Sequence, residues 1–233
     1  MDRDDDATTP SRAALRIALA VGGVALAAVA LRAIAKAPAP VYRYVNHWRV
    51  RGPIDEVAAV LRDAEAYPRW WPSVYLAVEP FTDGAGDARR RVRSQGFLPY
   101  AIEFNARVVD ERLPHRFSVE AEGEMQGRGD WQLSADGEWV DIVYRWQVTG
   151  NKMLWRTTSW ALRPLFEANH DWAMQRGEES LRLELARRRA TSDAERDAVP
   201  APPQPVRGTT GIVDALVAAF RRRPESAARP VSP

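Results

Sequence analysis

The sequence predicts an α+β fold in which a curved antiparallel sheet of about seven strands is closed by one long C-terminal helix. Three observations carry this reading. Between Tyr42 and Thr149, short segments alternate apolar and polar residues with a period of two, separated by turn dipeptides at hairpin distance. From Leu154 to Arg189 the apolar residues change to helical spacing. The strands are apolar on one side only, so the sheet requires a cover, and the long helix supplies it.

The elements follow in order. A first strand covers Tyr42 to Arg51, with Tyr44, Asn46, Trp48 and Val50 on one face and Arg43, Val45, His47, Arg49 and Arg51 on the other. Gly52-Pro53 ends it, and Pro53 suits the first turn of a helix whose Ile54, Val57, Ala58 and Leu61 share a face up to Arg62. Prolines 68 and 72 bound an aromatic stretch, Tyr67 to Pro72, and forbid a long regular element there. Six strands follow: Val74 to Pro80, Arg89 to Gly96, Tyr100 to Arg112, Arg116 to Glu122, Arg128 to Ser134 and Trp139 to Thr149. Asp83-Gly84, Leu113-Pro114 and Asp136-Gly137 join antiparallel neighbours. The final helix carries Leu162, Phe166, Ala173, Gly177, Leu181 and Leu185 toward the sheet, and Pro164 is expected to kink or split it.

The ends lie outside this domain. Residues 1–12 are a polar tail, after which Ile17 to Leu31 runs fifteen residues without a charge. With Arg16 and Arg32 snorkelling, residues 13–35 reach 23 residues, enough for a single membrane span that needs about 20. The basic residues after the run favour a cytoplasmic main domain. The alternative is a cleaved signal peptide with Ala33-Ile34-Ala35 as its processing site and a secreted product. Residues 190–208 hold four prolines and almost no large apolar group, and read as an unfolded linker. Residues 209–223 read as a short amphipathic helix capped by Thr210, with Ile212, Val213, Leu216, Val217 and Phe220 on one face, either lying on a membrane or docked on the domain. Residues 224–233 form a disordered tail.

Composition narrows the function classes. At 233 residues, 45% hydrophobic and net charge +2, the chain holds one domain plus accessories and is not a basic nucleic-acid arm. It has no cysteine, which excludes disulfide scaffolds, iron–sulfur clusters, thiolate zinc sites and cysteine nucleophiles. The 33 basic residues include only two lysines, Lys36 and Lys152, a skew that fits a GC-rich genome better than a charge-reading role. His47, His115 and His170 belong to three separate elements with no ligand-spaced acid between them, so no metal site is expected. There is no nucleophile elbow, phosphate loop or dinucleotide fingerprint, and no cofactor is implied. Glu103, Glu120, Glu122 and Glu124 can supply a general base, but charged strand residues ordinarily face water. The run Arg89-Arg90-Arg91 with Arg93 reads as a solvated edge, and no basic face interleaved with aromatics points to nucleic acid.

The order strand, helix pair, meander and long helix is that of the helix-grip fold. Four stretches are characteristic: His47-Trp48-Arg49-Val50 leading into Pro53-Ile54-Asp55-Glu56-Val57; Trp70-Trp71-Pro72; Gly127-Arg128-Gly129-Asp130-Trp131; and Asn169-His170-Asp171-Trp172 with Arg176-Gly177-Glu178. On these, residues 42–189 resemble the START-like superfamily known as SRPBCC, in its polyketide cyclase/dehydrase and lipid-transport branch. The motifs mark a fold rather than a catalytic site. The resemblance implies a deep, mostly apolar cavity between sheet and long helix that holds lipids, sterols, polyketides or aromatic small molecules. Tyr100, Phe104, Trp131, Tyr144, Trp146, Leu162, Phe166 and Met174 are expected to line it, with Asn169 and His170 as its polar pair and Tyr67, Trp70 and Trp71 at its mouth. Two functions remain open: a membrane-tethered carrier of a hydrophobic molecule, or a cyclase/dehydratase in which His170 transfers a proton.

Overall fold

The computed structural model describes residues 41–150 and 153–221. The tail 1–12, the segment 13–35 and residues 224–233 lie outside the described residues. Among the described residues no helix is long and apolar enough to cross a membrane.

The elements are β1 (Val41–Arg51), α1 (Ile54–Arg62), a 3-10 turn (Ala64–Ala66), α2 (Tyr67–Trp70), β2 (Tyr75–Thr82), β3 (Ala88–Gln95), β4 (Ala101–Arg112), β5 (Arg116–Gly123), β6 (Met125–Asp136), β7 (Trp139–Gly150), α3 (Met153–Arg189), α4 (Asp193–Ala198) and α5 (Gly208–Arg221). The seven strands form one antiparallel sheet in the order β1-β7-β6-β5-β4-β3-β2. Consecutive strands pair as hairpins, and only β1 pairs out of sequence, with β7. Its register, Trp48 opposite Ile142 and Val50 opposite Val140, joins residues that are all buried. On the other face of β1, Arg43, Val45, His47, Arg49 and Arg51 are exposed, as period-two alternation requires.

β1 is an edge strand, and α3 covers part of that edge. The Arg49 amide donates to Glu178 Oε1 at 3.1 Å, and Arg182 Nη2 donates to the Arg49 carbonyl at 3.0 Å, so both outward backbone groups there are satisfied by the helix. At the opposite edge β2 carries Pro80 and a register shift between Tyr75 and Ala77, two devices that discourage further strand addition.

Helix α3 seats on the sheet through a close approach. A Cβ at Gly177 would lie 2.3 Å from the Trp71 ring, so glycine lets the indole rest directly against the helix backbone. One turn and more beyond, Glu184 is almost fully buried and held by Arg69 (2.8 Å) and Arg188 (2.9 Å). These contacts clamp α3 to the α1–α2 segment. Pro164 does not split the helix: α3 runs unbroken from Met153 to Arg189, with the proline ring on its exposed side.

Two expectations for the C-terminal region are corrected. Residues 190–208 are not an unfolded linker throughout. Ser192 accepts from the Glu195 amide at 3.2 Å and Asp193 pairs with Arg196, which together stabilise the short α4, and Val206 packs on the core. Helix α5 begins at Gly208 (φ 72°) and packs on α3 through Ile212, Ala215 and Leu216. Its buried face is therefore rotated from the expected one, and Val213 and Val217 are 50% and 41% exposed. The Phe220 side chain lies outside the described residues.

Two substitutions test this scaffold by urea denaturation of the full chain. Gly177→Ala is expected to cost about 1–3 kcal/mol, because the added methyl overpacks against a ring with no room to retreat. Glu184→Gln is expected to cost about 1–2 kcal/mol, less than a fully enclosed pair because the stranded Arg69 reaches water. Burial alone would raise the Glu184 carboxyl, but the hydrogen bonds from Arg69 and Arg188 outweigh it and hold the pKa below 4.5. The pair's contribution is therefore present above that pH and is lost on acidification through the lowered value, a pH dependence that Glu184→Gln should not show.

Candidate functional site

The sheet's concave face, α3 and the α1–α2 segment enclose a cavity of about 210 Å³. Three walls build it from alternating or helical positions. The sheet contributes Phe104, Ala106 and Val108 from β4, Val119 and Ala121 from β5, Trp131 from β6, and Tyr144, Trp146 and Val148 from β7. Helix α3 contributes Phe166, Asn169, His170, Ala173 and Met174, the i, i+3, i+4, i+7, i+8 stripe of one face. The third wall is Leu61, Tyr67, Trp71 and Val74.

Aromatic rings form a continuous run along the floor. Trp131 stacks on Tyr144 with centroids 4.1 Å apart and on Phe117 at 6.0 Å, while Tyr144 lies 6.2 Å from Trp146. Gly129 makes this possible: a Cβ there would lie 2.7 Å from the Tyr144 oxygen and 2.9 Å from the Trp146 ring. Trp48 meets Trp131 and Trp71 edge-on at 5.5 and 5.6 Å, joining the floor to the wedge over Gly177.

Of the residues named from the sequence, Phe104, Trp131, Tyr144, Trp146, Phe166, Asn169, His170, Met174, Tyr67 and Trp71 border the cavity. Tyr100, Leu162 and Trp70 do not. Tyr100 precedes β4 and sends its amide to the Leu98 carbonyl (2.8 Å), so it sits in a turn outside the pleat. Leu162 lies one turn before Phe166, beyond the cavity's end, and packs on the core. Trp70 is fully buried because on a single helical turn Tyr67 and Trp71, four residues apart, share the cavity face and Trp70 points away.

The polar pair on α3 is committed to the scaffold. Asn169 Oδ1 accepts from the Leu98 amide at 3.1 Å and tethers the β3–β4 connection. His170 Nε2 lies 2.8 Å from Asn46 Oδ1, the geometry of an Nε2–H donor, and its ring stacks on Tyr44 at 3.8 Å. Burial pushes the imidazole down to about 3. Burial therefore favours the neutral ring, whose Nε2–H is already engaged by Asn46. The candidate carboxylates are also occupied: Glu120 is bound by Arg107 (2.7 Å), Glu122 by Arg89 (2.8 Å), Glu103 sits 3.6 Å from Arg93, and Glu124 Oε2 accepts from the Glu103 amide. Among the described residues no three His, Asp or Glu side chains converge as a metal site would require.

Sequence reasoning missed several cavity residues, notably Tyr44, Tyr75, Met125 and Arg90. The arginine run is not a sheet edge, because β3 is the second strand in and is flanked by β2 and β4. Arg90 shares the parity of the buried Val92, a signal legible in the alternation but masked by its charged neighbours.

The neutral imidazole has a measurable consequence. Unfolded chain takes up a proton at His170 near 6.5, whereas folded chain refuses it until about 3, so stability falls as pH drops through that window, by about 1.4 kcal/mol per pH unit for this one proton. His170→Phe keeps the stack on Tyr44 and should remove that slope. Nitrogen-15 chemical shifts should show a neutral Nε2–H ring at pH 5 in the wild type; an imidazolium there would overturn the assignment.

No family model matches the sequence, and neither does any curated protein. Solved structures do. The Zhui aromatase/cyclase of Streptomyces sp. R1128 superposes with a TM-score of 0.55 at 17% identity, over 66% of this chain and 99% of that one. A norcoclaurine synthase point mutant from Thalictrum flavum gives 0.46 at 15% identity over 64% and 99%. A START superfamily protein from Mycobacterium smegmatis gives 0.41 at 13% over 57% and 97%. At 17% identity the likeness to the first concerns architecture alone, and the chain has the helix-grip fold.

Proposed function

We propose that this chain is a hydrophobic-ligand-binding protein that encloses a small, ring-bearing molecule without covalent chemistry. The observation that carries the reading is the cavity: about 210 Å³ bordered mainly by aromatic and aliphatic side chains on a rigid sheet, with burial favouring its neutral imidazole and the bordering Glu120 already bound by Arg107. An apolar cavity of about 150 Å³ holds one benzene, so this one suits a body of one or two rings rather than a long acyl chain.

The solved relative named as an aromatase/cyclase keeps a catalytic reading in view. Catalysis of that type needs an ionisable group that exchanges a proton near neutral pH. Here burial lowers His170 to about 3 and raises the phenols of Tyr44, Tyr75 and Tyr144, so all four hold one protonation state. The non-covalent reading is the better supported. We place the domain at a membrane surface, tethered by residues 13–35 and facing the cytoplasm; the uncharged run Ile17 to Leu31 between Arg16 and Arg32 supports this.

Native mass spectrometry of the full chain from a lipid-rich host, with organic extraction, is expected to release one small apolar passenger per chain, chemically unchanged. Ala106→Phe, which fills the floor of the cavity from β4, should abolish that passenger while leaving a cooperative unfolding transition. A passenger retained at full stoichiometry in this variant would place binding elsewhere. Resistance of the full chain to alkaline carbonate extraction from membranes tests the tether, and release into the soluble fraction would exclude it.

A further inference from the structure

Arg90 is a partly buried cation whose Nε is enclosed without a hydrogen bond and has Glu65 as its ion-pair contact. Of its neighbours in the run, Arg89 hydrogen-bonds to Glu122 and Asp83 and Arg91 lies over the Phe81 ring at 5.6 Å, while the exposed Arg93 has an ion-pair contact with Glu103 at 3.6 Å. Arg90, on the concave parity of β3 and opposite Ala106 of β4, borders the cavity instead. Its side chain is only 22% exposed, and its Nε is buried with no hydrogen-bond acceptor. Glu65, 47% exposed, lies 3.3 Å from that nitrogen as a charge contact without hydrogen-bond geometry. A guanidinium has five donors and cannot shed its charge, so enclosing it beside apolar walls is costly until an anionic acceptor arrives.

A second observation lies on the same cavity. Tyr75 and Tyr144 both border it, and neither hydroxyl hydrogen-bonds to the described residues, whereas the neighbouring Tyr67 hydroxyl donates to the Leu61 carbonyl. Tyr75 stands opposite Ser94, four residues along β3 from Arg90, and Tyr144 borders the same cavity from β7. Burial keeps both phenols protonated, hence donors. The Trp71 and Trp131 rings provide apolar surface beside them.

We propose that the cavity takes an aromatic carboxylate of one or two rings, its carboxylate on the Arg90 guanidinium, its rings against Trp71 and Trp131, and the Tyr75 and Tyr144 hydroxyls as donors to polar substituents elsewhere on the ligand. This rests on the ligand-binding reading and narrows it to an anionic, ring-sized molecule. Glu65 is the internal competitor: it holds Arg90 loosely from the solvent side and yields to an incoming carboxylate.

The test compares 2-naphthoate with its neutral isostere 2-naphthamide by calorimetric titration of the full chain. The acid is expected to bind at least tenfold tighter than the amide at low salt, with the gap narrowing as salt is added. Arg90→Gln should erase the preference by weakening the acid far more than the amide, and a cooperative urea transition of the variant reports an intact fold. Glu65→Gln should widen it by freeing the guanidinium. Equal affinities in the wild type, or a preference that survives Arg90→Gln, would overturn the anionic assignment and leave the ligand-binding reading standing. Failure of both compounds to bind would overturn the two together.

Discussion

The packing of Trp71 against Gly177 is the contact on which the remaining architecture turns. A seven-stranded sheet curved around one helix has a concave face wider than that helix can fill. The deficit has to be met by another element or left as space, and here it is met at one end only. The α1–α2 segment drives Trp71 between helix and sheet, where glycine at 177 admits the indole to the helix backbone and Trp48 and Trp131 receive its edge. Toward α1 the core is solid, with Val57, Val60 and Leu61 fully enclosed. Beyond the wedge the helix and sheet diverge around the cavity. A larger residue at 177 would lift the helix and change the volume on both sides of the wedge, so core stability and cavity shape are set by the same contact.

Most of this organisation was legible because period-two alternation is a direct record of which face is buried. The strand limits, the β1 faces and the α3 stripe follow from it within a residue or two, except that β6 starts at Met125, three residues before the expected Arg128. Its failures have specific physical causes. Tyr100 carries the right parity but lies one residue outside the strand, where backbone pleating no longer directs the side chain. Trp70 belongs to a single turn whose orientation depends on the prolines around it rather than on any repeat. Residues 190–208 look too polar to fold alone, and they do not fold alone: α4 is capped by its own Ser192, while the following segment borrows surface from the domain through Val206 and the Arg187 bond to the Pro200 carbonyl.

The site's polar contacts were not legible for a different reason. His170 meets Asn46 across 124 positions, and Asn169 reaches Leu98 across 71, so neither pairing leaves a local trace. Sequence reasoning reaches the helix face on which both residues stand and stops there. Whether such a residue is a ligand contact, a catalyst or a tether depends on whether a partner is already present. For both residues the partner is already there.

Arg90 differs from them in a way that follows from charge. A low-dielectric enclosure acts on every ionisable group by disfavouring its charged form, which keeps the His170 ring neutral and the phenols of Tyr75 and Tyr144 protonated. Arginine cannot respond in that way, because its proton is held too tightly to leave. The same enclosure that makes the histidine and tyrosines chemically quiet therefore leaves the arginine charged, with Glu65 at 3.3 Å as its ion-pair partner. The compensation has to come from outside the cavity wall, either from Glu65 at the rim or from a bound anion, and the balance between those two decides how strongly the cavity prefers charge.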